Sequence, residues 1–253
     1  LFSGIISSPE EIPTQANGED YSSKIQKAKH IIAGFEYDIN NLIDFQLEGY
    51  IKDFSQLTNI NRNMTSNNDE TFIIETGLAK GIDALLKYNT AKLYVWLVYS
   101  IGHVTRDDGV REYSPHFDRR HNINFVTSYK FGKSLDWKFD CRWNLGSGFP
   151  FTQTQGFFEN ITFSEGINTD YTSTNGELGI EYAELNNGRL PYYHRLDLSL
   201  AKTIKINKNS TLNITASITN AYNRENIFYF NRVKYERVNQ LPLMPSLGMS
   251  LTF

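Results

Sequence analysis

Residues 135–145 constrain what this chain can fold into more than any other stretch. The odd positions are Leu135, Trp137, Phe139, Cys141, Trp143 and Leu145, and the even positions are Asp136, Lys138, Asp140, Arg142 and Asn144. A period of two is the mark of a β-strand with two chemically distinct faces. Here one face is wholly apolar and the other carries alternating charge. Residues 212–222 repeat the pattern: Leu212, Ile214, Ala216 and Ile218 alternate with Asn213, Thr215, Ser217 and Thr219. In residues 195–206, Leu196, Leu198, Leu200, Ile204 and Ile206 alternate with Arg195, Asp197, Ser199, Thr203 and Lys205, and Lys202 breaks the apolar face once. Further strands are expected at 31–39, 43–52, 82–88, 93–104, 122–131 and 244–253, about nine in all.

The connections carry a second pattern. Residues 38–41, 89–91, 132–134 and 207–210 are short and mostly Asn-, Gly- or Ser-bearing, as tight turns require. The connections between them (53–72, 105–120, 147–191 and 223–243) are long. A membrane barrel sorts its loops this way, with tight turns on the periplasmic side and longer loops outside. A soluble sheet packed on one face predicts the same alternation within a strand, but gives no reason for loop length to alternate along the chain. The expected fold is therefore all-β, part of an antiparallel transmembrane β-barrel. Its long loops are extracellular, its C-terminus is periplasmic, its apolar face meets lipid, and its charged face lines a wet lumen.

Composition fits. Mean hydropathy is −0.43, yet aromatics make up 14%, with 15 Tyr and 17 Phe. A polar lumen and loops combined with an aromatic outer band give both values. No apolar run approaches the roughly 18 residues of a membrane helix. A net charge of −3 gives a nucleic-acid partner no electrostatic support, and the single Cys141 supports neither an internal disulfide nor a metal cluster. The chain opens Leu1-Phe2-Ser3-Gly4, without a basic leader or Met, which reads as a processed or truncated exported chain. Nine strands are odd in number and too few to enclose a charged lumen, so further strands are expected upstream.

Several motifs resemble the C-terminal half of TonB-dependent outer-membrane receptors. They are Lys80-Gly81-Ile82-Asp83-Ala84-Leu85-Leu86-Lys87-Tyr88, Phe117-Asp118-Arg119-Arg120-His121-Asn122, Gly146-Ser147-Gly148-Phe149-Pro150-Phe151, Arg189-Leu190-Pro191-Tyr192-Tyr193-His194-Arg195-Leu196-Asp197-Leu198, Thr219-Asn220-Ala221-Tyr222-Asn223-Arg224, and the ending Leu251-Thr252-Phe253. The resemblance implies a 22-stranded barrel of which this is the C-terminal portion. It also implies an N-terminal plug and TonB-contacting segment lying outside residues 1–253. Import of a scarce nutrient, such as a metal chelate, glycan or peptide, would be driven through the TonB complex. Phe253 would be the C-terminal aromatic read by the barrel-assembly machinery, and a surface lipoprotein partner is compatible with it. A passive porin, or a secretion or assembly barrel, is the competing reading.

Individual residues are weighed against that frame. Asp136, Lys138, Asp140, Arg142, Arg195 and Asp197 are expected on the lumen wall, the last two as an ion pair about 7 Å apart along one strand face. In loop 147–191, Phe149, Phe151, Phe157, Phe158, Phe163 and Tyr171 interleave with Gln153, Gln155 and Asn160. Rings beside amides can hold a ligand, or they can pack the loop against its neighbours. No acid–base, nucleophile or metal constellation stands out, so an enzyme is not expected and no cofactor is implied. Asp118, Arg119, Arg120 and His121 read as a charged rim, and Asp107-Asp108-Gly109 reads as a solvated turn rather than a calcium loop.

Overall fold

The computed structural model describes residues 14–16, 19–21, 25–63, 68–160, 177–207 and 209–253. Nine antiparallel strands form one continuous wall: β1 (Lys27–Ile39), β2 (Ile43–Ile60), β3 (Phe72–Asn89), β4 (Leu93–Asp107), β5 (His121–Phe131), β6 (Trp137–Gly146), β7 (Tyr193–Lys205), β8 (Thr211–Thr219) and β9 (Met244–Thr252). Each pairs with the next in chain order, and the sheet is open, running from β1 to β9. The short Glu112–Tyr113 strand adds to the end of β4. Among the described residues there is no helix. None is therefore long and apolar enough to cross a membrane, which says nothing about crossing with strands.

Register fixes the faces, because residues opposite each other share one. Phe125, Trp143 and Leu196 line up across β5, β6 and β7, and so do Tyr129, Phe139 and Leu200. The row continues through β8 and β9 as Ala216 and Leu247. On the other face, Ser128, Asp140 and Ser199 align, as do Asn124, Asn144 and Arg195. Side chains there bond across strands: Lys87 to Asp44 at 2.8 Å, Gln46 to Glu36 at 3.0 Å, Thr203 to Asn213 at 2.8 Å and Ser217 to Ser246 at 2.6 Å. The polar face has one apolar stripe, where Leu85 faces Val98 and Trp96 faces Val126.

The wall has almost no core of its own. Among the described residues the buried apolar side chains are Ala79 and Tyr113, with Pro115 and Pro150 in the long loops. Ile31, Ile51, Ile82, Leu247 and Met249 are all roughly half or more exposed. A soluble one-faced sheet would have to cover such a face. The Trp137–Trp143 row lies on this open apolar face and not inside a packed protein interior.

Strand limits differ from the sequence expectation where alternation fails. β2 and β3 each run 18 residues, about seven more than a membrane-crossing strand needs. Their pairing shifts between Phe54 and Leu57, and such a bulge breaks the period of two, which hides the strand beyond Lys52. β3 begins at Phe72 rather than Ile82, because residues 72–81 mix small, polar and apolar side chains on both faces. β6 begins at Trp137 because Leu135 takes a left-handed φ of 53° in the turn closed by its own N–H to the Gly132 carbonyl at 3.2 Å. β8 ends at Thr219 because Asn220 turns the chain with φ 54°. The alternation of short and long connections survives these changes.

Candidate functional site

The ends of the strands joined by the long connections carry the built structure. Charged and amide groups are buried there while apolar groups in the wall are not. Asp118 is fully buried and gathers Arg189 at 2.5 Å, Arg120 at 3.0 Å and the Val104 N–H at 2.9 Å. This clamp ties β4 and the start of β5 to the far end of the largest loop. Glu75, 1% exposed, accepts the Tyr113 hydroxyl at 2.9 Å and Asn59 Nδ2 at 2.9 Å, with Arg106 at 3.4 Å. Burial, and then the bond to Glu75, holds the Tyr113 phenol above its usual range. Asn220, also fully buried, donates its N–H to Asp197 at 2.9 Å and its amide to the carbonyls of Arg224 and Leu241 at 2.9 and 3.1 Å. Asn226 bonds both the N–H and the carbonyl of His194, at 3.2 and 2.9 Å, as a neighbouring strand would.

Two glycines make the rim possible. A Cβ on Gly146 would collide with the Arg119 guanidinium, and one on Gly148 would collide with the Leu190 carbonyl. Arg119 thus lies flat over the end of β6, its guanidinium 4.1 Å from the Phe149 ring centre and 6.0 Å from that of Tyr193. Burial pushes its pKa down. A cavity of about 250 Å³ opens beside it, walled by Phe149, Tyr192, Tyr193, Arg224 and Phe228.

The residues singled out from sequence fall in three places. Lys138 and Asp140 pair at 2.9 Å and Arg195 and Asp197 at 2.9 Å, with Arg142 opposite Asp197 in register. All five lie on the polar face. Asp136 does not join them: it sits in the turn, and its carboxylate is held by Lys202, whose ammonium also lies 4.7 Å above the Trp137 ring. The break that Lys202 makes in the apolar row is thereby neutralised at its edge.

The loop candidates divide. Thr154–Asn160 pairs with Glu177–Tyr182 and Ile227–Asn231 with Glu236–Asn239, so the two longest connections, 147–191 and 223–243, each carry an antiparallel strand pair. Phe151 stacks on Phe230 at 6.0 Å, Phe157 meets Tyr235 edge-on at 5.8 Å, and Arg232 bonds Thr154 at 2.8 Å. These contacts dock one loop onto the other. The Gln153 backbone carbonyl closes the stem by accepting the Ala183 N–H at 3.0 Å, and its side chain is exposed. Phe158, 52% exposed, covers Gly179, and Gln155 is exposed. Phe253 is 91% exposed. Phe163 and Tyr171, like Leu1-Phe2-Ser3-Gly4, lie outside the described residues. Among the described residues, no group of His, Cys, Asp and Glu has the arrangement of a metal site. Sequence reasoning did not single out Glu75, Arg189, Asn220 or Arg224 for these roles. Apart from the Asn220–Arg224 pair, four residues apart, their side-chain hydrogen-bond partners lie 16 to 71 residues away along the chain, so no local spacing announces those contacts.

Comparison with known proteins places this architecture. No protein-family model and no curated sequence relative matches the chain. Solved structures do. The ferric-catecholate import receptor Fiu of E. coli K12 aligns over 96% of this chain with a TM-score of 0.63 at 12% identity. The ferripyoverdine receptor of the outer membrane of Pseudomonas aeruginosa, bound to ferripyoverdine, aligns over 92% with a TM-score of 0.60 at 12% identity. The FpvAI–pyocin S2 complex gives 90%, 0.56 and 13%. The chain spans about 30% of the length of the first receptor and 28% of the second. The fold is that of a section of outer-membrane receptor barrel wall. The open nine-stranded antiparallel sheet matches part of the all-β barrel fold of these receptors, the fold class that the strand alternation led us to expect.

Proposed function

We propose that this chain is part of the barrel wall of an outer-membrane receptor that imports a scarce nutrient using energy delivered by TonB. The observation that carries the reading is a nine-stranded wall with an uncovered apolar face and a hydrogen-bonded polar face, superposable on receptor barrels over nearly all its length. In this reading the apolar face meets lipid. The other face, with Lys138, Asp140, Arg142, Arg195 and Asp197, lines the lumen, where charge is inexpensive because water is present. The rim clamps hold the outer loops over the opening. Phe158 and Gln155 remain free to meet a solute, and a metal chelate leads among the solute classes because two of the structural neighbours are receptors for ferric chelates. The plug, the TonB contact and the remaining strands belong to the rest of the receptor, and Phe253 serves its assembly.

The experiment uses the full-length gene product in its own cell. It should fractionate with the outer membrane, and uptake of its nutrient should be abolished when TonB is disrupted. Uptake that persists undiminished without TonB would overturn the energised reading in favour of a passive pore. A protein recovered in the soluble fraction without detergent would overturn both.

A further inference from the structure

The rim cavity beside Arg119 contains positive charge that the described residues do not answer. Two side-chain atoms among the described residues are buried without a hydrogen-bond partner, Arg119 Nε and Arg224 Nε, and both residues line this one cavity. Glu225 and Arg237 also line the cavity, and they pair with each other; outside it, Asp118 is engaged with Arg120 and Arg189 and Asp197 with Arg195. Arg119 is held by aromatic faces, which position a guanidinium without neutralising it. Arg224 has only a 3.5 Å contact from Nη2 to the Tyr192 carbonyl. Burying a guanidinium nitrogen without an acceptor is costly, and native proteins leave few such groups unanswered.

We propose that this cavity is an oxyanion subsite, in which the forks of Arg119 and Arg224 receive a carboxylate or phosphate group between Phe149, Tyr193 and Phe228. Planar guanidinium groups bind such anions through paired N–H donors. The volume of about 250 Å³ lies below the range of whole-ligand pockets, so the site takes one anionic arm of a larger solute. That the anion belongs to an imported solute rests on the function proposed above; that the cavity binds an oxyanion does not.

The test is calorimetric titration of the full-length protein, purified in detergent, with citrate and separately with inorganic phosphate as probes. Binding of either probe is expected, and the preferred one distinguishes a carboxylate from a phosphate arm. Arg119→Gln and Arg224→Gln should each weaken it about tenfold or more, the scale of a lost charged hydrogen bond. Arg119→Lys should recover part of the loss by restoring the charge without the fork. Lys138→Gln, which removes a charge on the wall, should leave affinity unchanged. Heat-modifiable gel mobility confirms that each variant is a folded barrel. No binding of either probe into the millimolar range, or equal weakening by Lys138→Gln, overturns the subsite. A protein that imports its nutrient but binds neither probe loses only this inference; one that binds a probe but supports no uptake loses only the transport reading.

Discussion

The wall and the rim of this molecule follow opposite rules of burial. In the wall, leucine, isoleucine and phenylalanine are exposed or half-exposed, and only Ala79 is buried among its apolar side chains. At the rim, the most deeply buried side chains are Glu75, Asp118 and Asn220. A water-soluble fold arranges these the other way round. The contrast teaches that each region is built for its own solvent. On the reading proposed above, hydrocarbon replaces the missing core of the wall, while the loop bases are held by desolvated polar groups such as Glu75, Asp118 and Asn220, whose burial is offset by the partners they bond.

Five substitutions, the last two taken as a pair, sharpen or break that contrast. The largest effect is expected from Asp118→Ala, which strands Arg120 and Arg189 and unpairs the Val104 N–H. Removing one partner of a buried pair costs about 3–5 kcal/mol. Limited proteolysis of intact cells should then cut the loops after β4 and β6 faster, and unchanged protection would show that the rim does not depend on buried charge. Next is Leu198→Arg, opposite Cys141 and Ile218 in mid-strand. At a bilayer midplane it costs about 2–4 kcal/mol, read as a lowered denaturant midpoint for the full barrel refolded in vesicles; a wild-type midpoint would mean that this face does not touch lipid. Asn220→Ala removes the bonds to Arg224 and Leu241 and should cost about 1–3 kcal/mol, visible as loosening confined to the last loop in hydrogen exchange. The smallest effect is expected from Asp136→Asn. Its pair with Lys202 is partly exposed at a turn, so the change stays below about 1 kcal/mol, far less than Trp137→Asp on the adjoining apolar row. Equal assembly defects from those two, by heat-modifiability, would contradict the face assignment.

The sequence alone settled the strands whose two faces differ cleanly. In β6 and β8 every second side chain is apolar, and in β7 the row Leu196, Leu198, Leu200 and Ile204 is broken only by Lys202; a period of two leaves one backbone conformation and one sidedness. It settled the turns as well, since Asn40 and Asn41 carry the positive φ values that a tight hairpin needs. Only the tertiary structure decided the upper halves of β2 and β3, because a bulge changes which face a residue takes without leaving a compositional trace. The rim, too, was decided there. Asp118 and Arg189 are 71 residues apart, and Asn220 and Leu241 are 21 apart. Alternation is a local property that any window of ten residues displays, whereas a clamp between loops exists only once nine strands in register have brought their ends together.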